Sequence, residues 1–133
     1  MQKLFILFFF AVSLVCCATQ KDIREDFEKN YKNYNELLRW RQFDDASSYP
    51  ADSISREYQA RLNAAKNVVV VDYRVTNIKY DEKMKMAEVK VEIDYYTLFS
   101  SSVRTLTDNQ MWSNQGKAGK GHWRLMSLLP EFP

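Results

Sequence analysis

The chain has 133 residues, enough for one folded domain and a segment that is processed away. Its 19 basic and 17 acidic residues nearly cancel, so it lacks the basic surplus of a dedicated nucleic-acid binder. With one histidine and two adjacent cysteines, the usual zinc constellations are excluded, and no metal or cofactor is expected.

Residues 1–16 read as a signal peptide. Met1-Gln2-Lys3 is a short basic start, and Leu4 to Val15 is an almost unbroken apolar run. That run is shorter than the ~20 residues a helix needs to span a bilayer. Leu14-Val15-Cys16-Cys17 follows it and resembles the bacterial lipobox. It departs from that pattern in placing Cys16 at the small-residue position. The resemblance implies that Cys17 is acylated, that residues 17–21 form a tether, and that the protein is anchored by lipid in a bacterial cell envelope. Ala18 stands where, in such lipoproteins, an Asp favours inner-membrane retention, so the resemblance points to the outer membrane. An ordinary secretory signal cut after Ala18, giving a soluble secreted or periplasmic protein, is the alternative, and a retained membrane anchor is a third. With Cys17 acylated, no cysteine is left for a disulfide, and residues 22–130 must be stabilised by their core. A module of ~115 residues can bury roughly two-thirds of its unfolded surface, which suffices.

Asp22 and Glu25 are spaced as in a capping box, with Thr19 as another cap candidate. Ile23, Phe27, Tyr31, Tyr34 and Leu38 then recur every three or four residues, predicting an amphipathic helix to about Arg41, with Leu37 and Trp40 widening its stripe. Gln42 to Tyr49 predicts a turn and a short helix stopped by Pro50. Within it, Asp44 and Asp45 suit a helix N-terminus better than a metal or a base. A third helix starts near Asp52 or Ser53 and turns Ile54, Tyr58 and Leu62 inward.

Asn67 to Tyr80 predicts a strand, with Val69, Val71, Tyr73 and Val75 on one face. The apolar phase then slips to Ile78 and Tyr80, which predicts a bulge near Thr76-Asn77. Asp81 to Met84 makes a turn. Ala87 to Tyr96 alternates strictly, with Ala87, Val89, Val91, Ile93 and Tyr95 on one side and Glu88, Lys90, Glu92 and Asp94 on the other. That pattern requires one buried and one wet face, hence an antiparallel sheet covered on one side. Ser100 to Ser102 reads as a polar break, Val103 to Ser113 as a third strand, and His122 to Leu128 as a fourth after the glycine-rich stretch from Gly116 to Gly121.

Little in this sequence carries chemistry. The glycine-rich stretch lacks the Lys-Ser/Thr of a P-loop and precedes no helix, so it reads as a hairpin connection. His122 could act as a base with Asp94 or Asp108, but it has no second histidine and no nucleophile elbow to work with. Arg39-Trp40-Arg41 and Trp123-Arg124 read as amphipathic packing. Tyr31, Tyr34, Trp40, Tyr73, Tyr95 and Trp112 converge as candidate lining of an aromatic ligand cavity between helix and sheet, with Trp40 or Trp112 near its mouth.

The predicted class is α+β: N-terminal helices packed on a curved four-stranded antiparallel meander. The order of these elements, and the ending Asp108-Asn109-Gln110-Met111-Trp112 followed by Gly121-His122-Trp123-Arg124-Leu125, resemble the nuclear transport factor 2-like superfamily, a cone-shaped α+β domain. The resemblance spans residues 20–128 and includes small bacterial lipoproteins. Members of the superfamily are isomerases, dehydratases and hydrolases, or bind ligands and partners without chemistry. The isomerase type needs a pocket acid and a tyrosine. Tyr31, Tyr73, Asp72 and Asp108 supply those residue types, but none matches a family motif, so no catalytic residue is assigned. The expectation is a tethered protein that binds an envelope protein or a small apolar ligand; a cone-pocket enzyme and an assembly subunit are the alternatives.

Overall fold

The computed structural model describes residues 2–116 and 123–133, with side chains from residue 21 onward. Its elements are α1 (Gln2–Arg39), α2 (Phe43–Ala46), a 3-10 turn (Asp52–Ile54), α3 (Ser55–Ala64), β1 (Val68–Asp81), β2 (Met86–Thr97), β3 (Ser100–Asn114) and β4 (Trp123–Leu125). The protein is α+β: a helical region followed by an open antiparallel meander in the order β1-β2-β3-β4. Among the described residues, no helix is long and apolar enough to cross a membrane.

The first helix does not start at Thr19 or Asp22. It runs unbroken from Gln2, because no glycine or proline interrupts residues 2–39. Its end is a Schellman turn: Arg41 takes the left-handed conformation (φ 57), its N–H bonds Leu38 O, and Gln42 N–H bonds Leu37 O at 2.9 Å. A non-glycine residue there costs roughly 1 kcal/mol, which the Arg41 guanidinium offsets by donating to Lys66 O at 3.0 Å. Trp40, just past the helix, does not join the inner stripe. It is 65% exposed, and its indole N–H donates to Glu36 on the helix exterior at 3.0 Å. In α2, Asp44 and Asp45 lie exposed in the first turn, where carboxylates complement the helix end.

The inner stripe of α1 (Phe27, Tyr31, Tyr34 and Leu38) is buried against the inner face of β2, where Ala87, Val89, Val91, Ile93 and Tyr95 are all buried. The opposite face is wet and charged. Arg74 makes a two-pronged contact with Asp94 at 2.6 and 3.1 Å and reaches Glu92 at 3.2 Å. Thr105 adds a hydroxyl to Asp94 at 2.6 Å. Hydrogen bonds from Arg74, then from Thr105, lower the Asp94 pKa to about 2.

β1 differs from its sequence reading. Val68 and Val70 are buried, whereas Val69 and Val71 point the other way. The pairing slips twice, between Val70 and Asp72 and again between Val75 and Asn77. The second slip is the bulge expected from the sequence. The first was hidden because four valines in a row mask the phase. After each slip the apolar residues return to the inner face, since Tyr73 pairs with Ile93, Val75 with Val91 and Ile78 with Val89.

Ser100 to Ser102 are no break. They open β3 directly after a tight turn at Leu98-Phe99, and Ser100 pairs with Thr97. β4 is only three residues long. Its outer edge is covered by residues 49–51: Leu125 N–H bonds Tyr49 O, and Ala51 N–H bonds Leu125 O, both at 2.9 Å. Most of the glycine-rich stretch (117–121) and His122 lie outside the described residues.

The two faces of β2 predict unequal costs of substitution. Ile93→Ala should lose about 2–4 kcal/mol in urea unfolding by opening a cavity under α1. Glu92→Gln should lose less than about 0.5 kcal/mol, as exposed ion pairs contribute little. Equal losses would mean that both sheet faces are covered.

Candidate functional site

The inner face of β3 carries Leu106, Asp108, Gln110 and Trp112 at alternate positions, paired across to Ile93, Val91, Val89 and Ala87. Two of these four are polar, and both are buried: Asp108 is 4% exposed and Gln110 1%. They face α1, which turns Asn35 (2% exposed) toward them from between its aromatic residues. Asn35 Nδ2 donates to Gln110 Oε1 at 3.2 Å, and Gln110 Nε2 donates back to Asn35 Oδ1 at 2.8 Å. Gln110 Nε2 also donates to Asp108 Oδ2 at 2.9 Å, and the Trp112 indole N–H reaches Gln110 Oε1 at 3.4 Å. Asn35 Nδ2 donates again to Tyr31 O at 2.8 Å.

A second polar link lies beside this one. The hydroxyls of Tyr34 on α1 and Tyr58 on α3 share a hydrogen bond of 2.7 Å. Burial raises the pKa of both phenols, and the Asp108 charge adds to the rise in each. Asp108 itself is raised to about 6, because burial opposes its charge more than the Gln110 hydrogen bond favours it. A carboxyl poised near neutrality can take up or release a proton. Among the described residues, however, no group of three or more His, Cys, Asp or Glu gathers to hold a metal ion.

The structure separates the six aromatic residues named from sequence. Tyr31, Tyr34, Tyr95 and Trp112 are buried in one core. Tyr34 and Trp112 meet edge to face at 5.6 Å, and Tyr49 closes on them at 5.7 and 6.0 Å, so ring packs on ring. Tyr73 is half-buried nearer the rim and donates its hydroxyl to Glu36 at 2.7 Å; burial, then that bond, raises its pKa to about 12. Trp40 stands outside, lining a surface cleft of about 230 Å³ with Asn33, Glu36, Leu37 and Tyr49. A larger cleft of about 470 Å³ runs between α1 and β1, lined by Arg24, Phe27, Glu28, Ile78, Tyr80 and Glu82. Of the two acids considered as alternative partners for His122, Asp94 lies on the wet face and Asp108 on the inner one, while His122 itself lies outside the described residues.

Sequence reasoning missed Asn35, Gln110 and the pairing of Tyr58 with Tyr34. A signal existed: Leu106-x-Asp108-x-Gln110-x-Trp112 keeps period two, so its polar members had to share the apolar face. The buried carboxyl gives a pH dependence of definite sign. Asp108 binds its proton more tightly folded than unfolded, so its cost to stability is absent below about pH 4 and complete above about pH 6. Asp108→Asn should therefore raise stability at pH 7.5 by on the order of 2 kcal/mol and leave pH 4 unchanged, read from thermal unfolding at both pH values. A loss of stability at pH 7.5 would contradict this.

No protein-family model matches the chain, and neither does any curated protein.

Proposed function

We propose that the protein is a lipid-tethered module of a bacterial cell envelope, acylated at Cys17, whose folded part binds a protein partner. The observation that carries the binding reading is an uncovered apolar tip at the β2–β3 turn. There Phe99 is 84% exposed, Leu98 59% and Val103 58%. Apolar groups clustered on a turn are costly to leave in water and suit a surface that a partner covers. The tip belongs to the end of the fold remote from Cys17. Leu98 N–H bonds Asn67 O, and neighbouring Lys66 holds Arg41 beyond the C-terminal end of α1. From Lys21 to Arg39 the helix rises about 27 Å at 1.5 Å per residue. A chain held at Cys17 would thus carry its apolar tip away from the bilayer, toward a partner in the envelope space.

The order of helices followed by a meander supports assignment to the cone-shaped nuclear transport factor 2-like class. Within that class, ring-on-ring packing of Tyr34, Tyr49 and Trp112 beneath α1 favours docking on the outside over chemistry inside. One observation favours a second reading, a cone-pocket enzyme: the buried Asp108 beside the Tyr34–Tyr58 pair has the raised pKa of a general acid or base.

Cys17→Ser should remove the acyl mass and move the protein from the membrane fraction to the soluble one. Mass spectrometry finding an unmodified start at Thr19 would end the lipoprotein reading. A photo-cross-linking residue at position 99 should give one discrete adduct in cells, lost when Leu98 and Val103 become Asp. The same probe at Lys90, on the wet face, should give none. Absence of an adduct at position 99, with an Asp108→Asn strain showing a substrate-dependent growth defect, would favour the enzyme.

A further inference from the structure

Trp40 is the one tryptophan that the fold leaves outside its core; Trp112 and Trp123 are buried. Its ring is nevertheless held in place by two contacts. The indole N–H donates to Glu36 Oε2 at 3.0 Å, and the Arg39 guanidinium sits over the ring at 5.3 Å. Glu36 is fixed in turn, because its other oxygen accepts the Tyr73 hydroxyl at 2.7 Å. Directly after Trp40, the left-handed Arg41 (φ 57) turns the chain out of the helix. Backbone strain of this kind is common beside functional sites. The cleft at the ring measures about 230 Å³ and is lined by Asn33, Glu36, Leu37, Trp40, Gln42 and Tyr49. Tyr49 ties this cleft to the core, packing on Tyr34 at 5.7 Å and on Trp112 at 6.0 Å.

We propose that this cleft binds one ring of a neutral sugar, with a pyranose laid against Trp40 and its hydroxyls bonded to Asn33, Gln42 and Glu36. The lining selects this class of ligand by exclusion. A wholly apolar ligand would leave the two amides and the carboxylate without water or partners. The Glu36 carboxylate repels an anion, and Arg39 already occupies the place of a cation on the ring. What remains is a neutral molecule with one apolar face and a rim of hydroxyls, as a pyranose has. Its C–H face suits the indole. Each amide offers both donors and an acceptor, and each Glu36 oxygen keeps a lone pair beyond the bond it already accepts. The volume suits a single ring, lying below the ~300 Å³ at which drug-sized pockets begin. With Glu36 and Trp40 already set by their contacts, binding has less side-chain freedom to remove. A free sugar and a unit of an envelope glycan share this chemistry. The cleft shares no residue with the apolar turn at Leu98-Phe99, so the inference does not rest on a protein docking there.

The test uses the full chain in a detergent without a sugar headgroup. The probes are chitotriose, cellotriose and their single-ring methyl glycosides, followed by saturation-transfer NMR on the sugar protons. At least one trisaccharide or its single ring should bind saturably. A trisaccharide held more tightly than its single ring identifies a glycan as the source, and equal affinity identifies a free sugar; either supports the site. Trp40→Ala should weaken binding about tenfold, the scale of a stacked ring. Asn33→Ala and Gln42→Ala should each weaken it about two- to tenfold, the scale of one hydrogen bond. All three residues are exposed, so circular dichroism and thermal unfolding should match the unsubstituted protein. Acrylamide quenching of fluorescence reads Trp40, since the other two tryptophans are buried, and should fall when the sugar is added. Binding of none of these sugars, binding that survives Trp40→Ala unchanged, or capture of a tetraproline peptide with no sugar bound would overturn the proposal.

Discussion

The reciprocal amide pair between Asn35 and Gln110 decides how α1 lies on the sheet. Apolar side chains attract one another from many angles, so the stripe of Phe27, Tyr31, Tyr34 and Leu38 alone would tolerate small rotations and slips of the helix. Two buried amides do not. Left unpaired, each would cost roughly 1–3 kcal/mol, and they satisfy each other at 2.8 and 3.2 Å only in one register. With α1 fixed in this way, Tyr34 meets both Trp112 and the Tyr58 hydroxyl, and Tyr73 at the rim reaches Glu36. The helix is thus set on the sheet by polar geometry and held there by aromatic burial.

The same polar cluster contains the least favourable group of the core. Asp108 shares Gln110 with Asn35 but gains too little from one hydrogen bond to offset its burial as an anion. Asp94 shows the contrast. On the wet face it meets Arg74 and Thr105, and its charge is stabilised. The two carboxylates therefore pull stability in opposite directions. Asp94 adds stability above about pH 4 and loses it as the pH falls toward 2. Asp108 subtracts stability as the pH rises through 4 to 6. A buried acid of this kind beside a tyrosine pair is the most chemically distinctive feature of the interior.

Much of the architecture was legible in the sequence because its strongest signals are periodic. The alternation from Ala87 to Tyr95 located the central strand and its buried face, and the phase slip near Thr76 located one bulge. Where a pattern is uniform, period carries no information, and the run Val68 to Val71 concealed the other bulge. Trp40 failed as a core residue because helical spacing was extended past a Schellman turn, where the chain no longer follows a helix. The serines at 100–102 failed as a break because strand residues at an open sheet edge need no apolar face. Asn35 was invisible for another reason. A polar residue within a helical stripe looks like solvent surface unless its partner, here 75 positions away, is known.

The central claim is that the Asn35–Gln110 pair locks helix to sheet, and a double-mutant cycle tests it most directly. Asn35→Leu, Gln110→Leu and the double variant would be compared by urea unfolding. If the lock is real, each single change strands a buried amide, and the double change removes both. The single variants should each lose about 2–3 kcal/mol and the double variant clearly less than their sum, giving a coupling of at least about 1 kcal/mol. Losses that add to within about 0.3 kcal/mol would show that the two residues act independently, and the helix would then be held by apolar packing alone.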